Sequence, residues 1–254
     1  MTIKYLAGNR VQGTRAERPT KRISFEERNG DYDEVIYKQL PTALGTDANF
    51  TLRFRLDLTT ISQSGNDDSV RFVMGLDTVA DVADSSTRDA VQMVWRVTDS
   101  INKFYAQTLD GIAPTSAYSG TDFATTPSTT GIYYVEIAHT DGATGTYTFK
   151  LYSDQNYSTL IESETVTDAG LTGLNYIVFR TWSLAAHNNQ ARGYIQRVRL
   201  NGAYTDSWIT SNSDTLDTVT GSSESYANNT IFEETDTHKS YIWNATTKVW
   251  TEIT

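Results

Sequence analysis

The sequence predicts an all-β protein built from two packed antiparallel sheets, and three observations carry the prediction. Apolar and polar residues alternate with period two from about residue 23 to residue 200, as in strands with one buried face. The composition, with 39 Thr, 15 Tyr and 5 Trp in 254 residues, favours pleated strands over helices. Turn-rich breaks, such as those at 139–145 and 153–156, separate the alternating runs and leave no helical crossovers between them.

The elements follow in order. Residues 1–28 hold seven basic and three acidic side chains, whereas the rest of the chain holds 14 basic and 28 acidic ones. Residues 1–22 cannot bury a core of their own. A frayed terminus is the plain reading of such a segment. An extended basic arm that orders on an acidic protein neighbour is the sharper one, with Lys4, Tyr5, Arg10, Arg15 and Arg18 as assembly residues. The sandwich is assigned to residues 23–203. Its clearest strand is 50–58, where Phe50, Leu52, Phe54, Leu56 and Leu58 share one face and Thr51, Arg53, Arg55 and Asp57 the other. Further strands are read at 70–76, 90–97, 103–109, 132–139, 146–152, 160–166, 176–183 and 193–200. A single turn at 79–83 is the best helical candidate, and 110–130 reads as a long loop. Residues 204–229 form a linker or surface crawl, since 205–229 carry four acidic residues, no basic ones and many Ser, Thr and Asn. Residues 230–254 regain a strand pattern and predict a β-hairpin with Phe232, Tyr241, Trp243 and Trp250 as assembly residues. A lone hairpin is marginal in water, so this one is expected to dock on the main domain or on another subunit.

The succession Gly131–Ile137, Thr148–Asp154, Gly170–Tyr176 and Gly193–Leu200 resembles the concanavalin A-like (laminin G-like) lectin and glucanase β-sandwich. The resemblance covers roughly residues 22–203 and implies a jelly roll of two antiparallel sheets. The ends resemble something narrower. Tyr5–Thr14 with Ala16–Pro19, and Ile231–Asn244 with Trp250–Ile253, look like terminal segments of structural proteins from tailed viruses of bacteria and archaea. That resemblance implies a capsid-surface or tail-associated protein.

Several function classes are excluded or disfavoured. The chain has no Cys, hence no disulfide, thiolate metal site or Cys nucleophile. No run approaches the ~18 apolar residues of a membrane helix, and a net charge of −10 disfavours nucleic acid. The opening MTIKYLAGNR lacks a signal-peptide core, so synthesis in the host cytoplasm is expected. The glucanase branch of the resembling superfamily places carboxylates at alternate positions of one strand. Glu162 and Glu164 come nearest, but Val166 occupies the third position, so no catalytic residue is assigned. His139, His187 and His238 are scattered, and His139 reads as a loop histidine. No cofactor is expected. A structural calcium is the one cation considered, with oxygens from Asn66, Asp67 and Asp68 or from Asp77, Asp81 and Asp84. No spacing matches an EF-hand, so no metal ligand set is assigned.

Sugars stack on aromatic rings and bond to amides and carboxylates. The carbohydrate-binding candidates are Trp182, His187, Asn188, Asn189 and Tyr118, with Phe123, Trp95 and Tyr105 near them. The arginines 53, 55, 192, 197 and 199 are expected to pair with Asp or Glu across strands. The reading is a non-enzymatic virion structural protein. It is placed as a capsid decoration, turret or fibre-base component on the particle surface, partnered by other virion proteins and by copies of itself. The alternative is a lectin-like module binding host-surface glycans, and the remote alternative is a polysaccharide hydrolase.

Overall fold

A computed structural model describes residues 4–6, 10–13, 21–27, 35–45, 48–62, 70–80, 88–98, 100–111, 117–128, 130–140, 145–183, 190–204, 209–211, 216–220, 229–235, 237–244, 246 and 249–253. Among them there are only strands and turns, arranged in three sheets. The helical turn read at 79–83 falls mostly outside the described residues.

One sheet runs in the order β12 (Leu160–Thr167), β11 (Thr146–Tyr152), β10 (Ile132–His139), β5 (Phe50–Ser62), β14 (Gln190–Leu200), β3 (Lys21–Glu27) and β17 (Leu216–Thr220), with β15 (Ala203–Tyr204) paired to β14. The facing sheet runs β16 (Ile209–Ser211), β4 (Val35–Leu44), β13 (Leu174–Ser183), β6 (Val70–Asp77), β7 (Ala90–Val97), β8 (Asn102–Asp110) and β9 (Ala117–Asp122). Every pairing in these two sheets is antiparallel. The inner faces share one core, in which the predicted face of β5 is fully buried from Phe50 to Leu58. Aromatic contacts join the sheets: Phe25 stacks on Phe72 at 3.9 Å, and Phe54 meets Phe179 edge-on at 5.5 Å. Gly193 on β14 is required by this packing, because a Cβ there would strike Asp57 O and the Phe25 ring.

Three differences from the sequence reading have physical reasons. The 110–130 loop contains β9, which pairs with β8 from Tyr105↔Asp122 to Asp110↔Ala117. The segment's Ser, Thr and Gly mask a strand that backbone pairing alone defines. The 204–229 linker contributes β16 to one sheet and β17 to the other, so its extended backbone covers the edges of β4 and β3. The ends of the chain meet. A five-stranded sheet has the order β1 (Lys4–Leu6), β2 (Arg10–Gly13), β18 (Ile231–Glu234), β19 (Ser240–Asn244) and β20 (Val249–Ile253). Its central pairing, β2 with β18, is parallel, with Val11 opposite Phe232 and Gln12 opposite Glu233. Lys4, Tyr5 and Arg10 of the expected arm therefore lie in strands of this sheet, while Arg15 and Arg18 lie outside the described residues. Phe232, Tyr241, Trp243 and Trp250 form a buried cluster separate from the sandwich core, with Trp243 and Trp250 ring centroids 5.0 Å apart.

On the outer face of the first sheet, Arg55 and Asp57 are buried as an ion pair at 2.6 Å. Arg53 and Lys150 converge on buried Glu136 at 2.5 and 3.2 Å. The arginines at 53 and 55 thus pair with carboxylates, though Arg55 does so along its own strand. The 153–159 loop folds over this region. Tyr157 lies under the Arg53 guanidinium at 4.5 Å and donates its hydroxyl to Phe54 O. Asp154 organises the loop by accepting the amides of Asn156, Ser158 and Thr159. Burial pushes its carboxyl up, but these bonds and the one from the Ser158 hydroxyl together outweigh it and hold the carboxyl down at about 2.

Candidate functional site

The two carboxylates considered for hydrolysis are structurally engaged. Glu162 and Glu164 stand opposite Leu151 and Phe149, whose side chains are core, so they occupy the core-facing side of edge strand β12. Glu162 accepts the amides of Ala124 and Thr125 at 2.6 and 2.8 Å, and Glu164 accepts the Thr121 hydroxyl at 3.2 Å. Burial pushes the Glu162 carboxyl up, but the bonds from Thr125 and Ala124 outweigh it and hold it below its usual value. The pair fastens the free edges of the two sheets together. Phe123, between these contacts, is fully buried against Phe104, and Trp95 is also core. Neither ring is available to a ligand. Strand parity places Trp95 on the inner face, and Phe123, just past the end of β9, is held there by its amide bond to Phe104 O.

The outer face of the second sheet gathers the polar groups that sequence reading left scattered. Residues alternating with the core positions fall into rows that cross the strands. One row reads Tyr176, Asp77, Ala90, Leu109 and Tyr118, and the next reads Tyr37, Val178, Gly75, Gln92, Gln107 and Gly120. A third contains Arg180, Val73, Val94, Tyr105 and Asp122. Small residues in the middle of these rows are buried, and Tyr37, Tyr176, Tyr105 and Gln107 around them are half-buried. Gly75 must be glycine, because a Cβ there would strike Val91 O.

A hydrogen-bonded chain runs across four strands of this face. Gln107 Nε2 donates to Gln92 Oε1 at 3.2 Å, and Gln92 Nε2 donates to Asp77 Oδ2 at 3.1 Å. Arg180 Nη2 donates to the same oxygen at 3.3 Å, while Val79 N donates to Asp77 Oδ1. Arg88 approaches at 3.7 Å. Asp77, Gln92 and Arg180 are all buried. Burial raises the Asp77 carboxyl to about 6, against the opposing pull of Arg88 and of the Val79 and Thr78 amides. Tyr37 and Tyr176 flank this chain as an edge-to-face pair at 5.6 Å. The face therefore combines aromatic rings with a fixed line of amide, guanidinium and carboxylate groups.

By backbone register, Trp182 and Tyr118 both fall on this face, Trp182 opposite Arg71 and Tyr118 opposite Leu109. Their side chains, and His187, Asn188 and Asn189, lie outside the described residues. His139 is not a loop histidine. It ends β10, buried beside Tyr147 and Phe50, with Nδ1 3.1 Å from Ala48 O. Asp77, the calcium candidate within reach, is held by Arg180, Gln92 and Val79, while Asn66, Asp67, Asp68, Asp81 and Asp84 lie outside the described residues. Among the described residues no group of three or more His, Asp or Glu side chains is placed to hold a metal ion. Sequence reading missed Arg180, Gln92, Gln107, Tyr37 and Tyr176, because each looks ordinary until pairing aligns five strands.

No family model matches the sequence, and a search of curated proteins finds no match. Solved structures do resemble the chain. The enzymatically active domain of tailspike protein 2 from bacteriophage CBA120 is 16% identical, with a TM-score of 0.36, over 67% of this chain. The match spans about a quarter (24%) of the tailspike chain. A legume lectin-like domain from Entamoeba histolytica is 8% identical, with a TM-score of 0.41, over 71% of this chain and 89% of that one. The CBM2 module of the evolved Dit of Lactobacillus casei BL23 phage J-1 is 15% identical, with a TM-score of 0.39, over 81% and 82%. The architecture itself, two packed antiparallel sheets, rests on the strand pairing.

Proposed function

We propose that the chain is a non-enzymatic structural component of a virus particle, and that its sandwich binds carbohydrate on the outer face of the second sheet. The observation that carries the binding reading is the Arg180–Asp77–Gln92–Gln107 chain flanked by Tyr37 and Tyr176. Half-buried rings offer stacking surfaces for sugar C–H faces, half-buried Gln107 offers an amide to hydroxyls, and the buried Asp77, Gln92 and Arg180 behind it hold that amide in place. The engagement of Glu162 and Glu164 in a structural clamp supports a role without catalysis. The virion setting is supported by the resemblance of both chain ends to virion proteins. It is also supported by their union in one small module with its own aromatic cluster, a unit suited to attachment while the sandwich faces outward.

A glycan array probed with the full chain tests the binding reading. Bound glycans should lose roughly two- to tenfold in affinity with Tyr176→Ala or Tyr37→Ala, since one aromatic contact is worth ~0.5–1.5 kcal/mol. Undiminished binding by both variants would move the site elsewhere, and an empty array at high protein concentration would remove it. The second reading is a capsid decoration or turret with no glycan, assembled with copies of itself. It is favoured by the end module alone, and an empty array together with high copy number on particles would select it.

A further inference from the structure

At one end of the same outer face, the register sets three cations directly against one another. Arg71 stands opposite Arg96, and Arg96 stands opposite Lys103, with Trp182 opposite Arg71 on the other side. Like charges directly opposite destabilise a sheet, and here two such oppositions follow in succession within a chain of net charge −10. Arg96 Nε is buried and meets no hydrogen-bond acceptor among the described residues. Lys103 reaches Asp122 at 3.4 Å, but the two side chains are 42% and 51% exposed. Such an exposed pair is weak, so an incoming anion can replace it.

We propose that this row recognises an acidic polysaccharide, one bearing carboxylates on its rings. The inference rests on the carbohydrate reading of the face and names the substrate class. Paired residues on neighbouring strands are about 4.5–5.5 Å apart, so the row presents a cation at roughly the interval of one sugar ring. The row adjoins the one that holds Arg180 and Tyr105, which continues the cationic and aromatic character into the polar chain. A nucleic acid needs a broader basic surface than three residues on an acidic protein supply.

The test is titration calorimetry of the full chain with oligogalacturonate, oligoguluronate and oligosialate. Neutral oligosaccharides, polyglutamate and single-stranded DNA serve as comparison probes. At least one carboxylated glycan should bind more tightly than every comparison probe. Arg96→Gln and Lys103→Gln should each weaken that binding about tenfold, and raising the salt to about 0.5 M should weaken it further. Arg96→Gln should also raise the melting temperature, since it removes both like-charge oppositions, and a loss of binding in a more stable protein cannot come from misfolding. Equal binding of polyglutamate or DNA would overturn the sugar assignment. Binding of neutral glycans with no acidic preference, or acidic binding untouched by both variants, would overturn this inference and leave the carbohydrate reading standing. No binding of any glycan would overturn both.

Discussion

Asp77 shows how one residue ties the outer face to the stability of the sheet. Its carboxyl sits at about 6 when folded, against 3.8 ordinarily, because burial disfavours the charged form more than Arg88 and the Val79 and Thr78 amides favour it. The folded chain therefore holds the proton more tightly than the unfolded chain does. The resulting stabilisation is fully present below pH 3.8 and is lost as the pH rises through 6. The unfolding free energy of the chain minus that of Asp77→Asn, from urea denaturation, should be larger at about pH 4.5 than at about pH 7.5, by ~2 kcal/mol. The same difference at both values would mean that Asp77 titrates as an ordinary carboxyl. None of this was legible in the sequence. Asp77 ends an alternating run and resembles any acidic residue before a loop. Its partners Arg180 and Gln92 lie 103 and 15 positions away, and only strand pairing brings them together.

At the scale of elements, the alternating strands were legible because one face of each is apolar. The core-facing positions of β5, from Phe50 to Leu58, are the residues that period two selects. β9 was not legible, because Ser119, Gly120 and Thr121 carry no apolar stripe and the strand exists through its pairing with β8. The parallel β2–β18 pairing was also hidden, since it joins segments more than 200 residues apart. It has a direct consequence. Removing residues 1–13 takes away β1 and β2 and strips β18 of its parallel partner, leaving a three-stranded sheet at the lower limit for independent stability. The shortened chain should keep the main unfolding transition of the sandwich. Trp243 and Trp250 should become exposed, seen as a red shift and easier quenching of tryptophan emission at temperatures where the sandwich is intact. Unchanged emission would show that the hairpin stands without its N-terminal partner strands.

Across the whole molecule, charge and aromatic groups are distributed unevenly. The net charge is −10, yet three cations line one end of the second sheet's outer face. Buried ion pairs and a tyrosine-bearing loop cover the first sheet's outer face instead. The first face is thus occupied by its own ion pairs and loop, whereas the second carries half-buried Tyr37, Tyr176, Tyr105 and Gln107 around a buried polar line. The chain ends join in a separate module, which fits attachment to a particle at one place and contact with glycan at another. Quantitative mass spectrometry of purified particles from the source lysate tests that setting most directly, by measuring the copy number of this chain relative to the major capsid protein. The expected result is a chain present at fixed stoichiometry in the particle. Near-parity would indicate a decoration or turret, and a few copies would indicate a tail or fibre base. Absence of the chain from particles that are otherwise complete would contradict it.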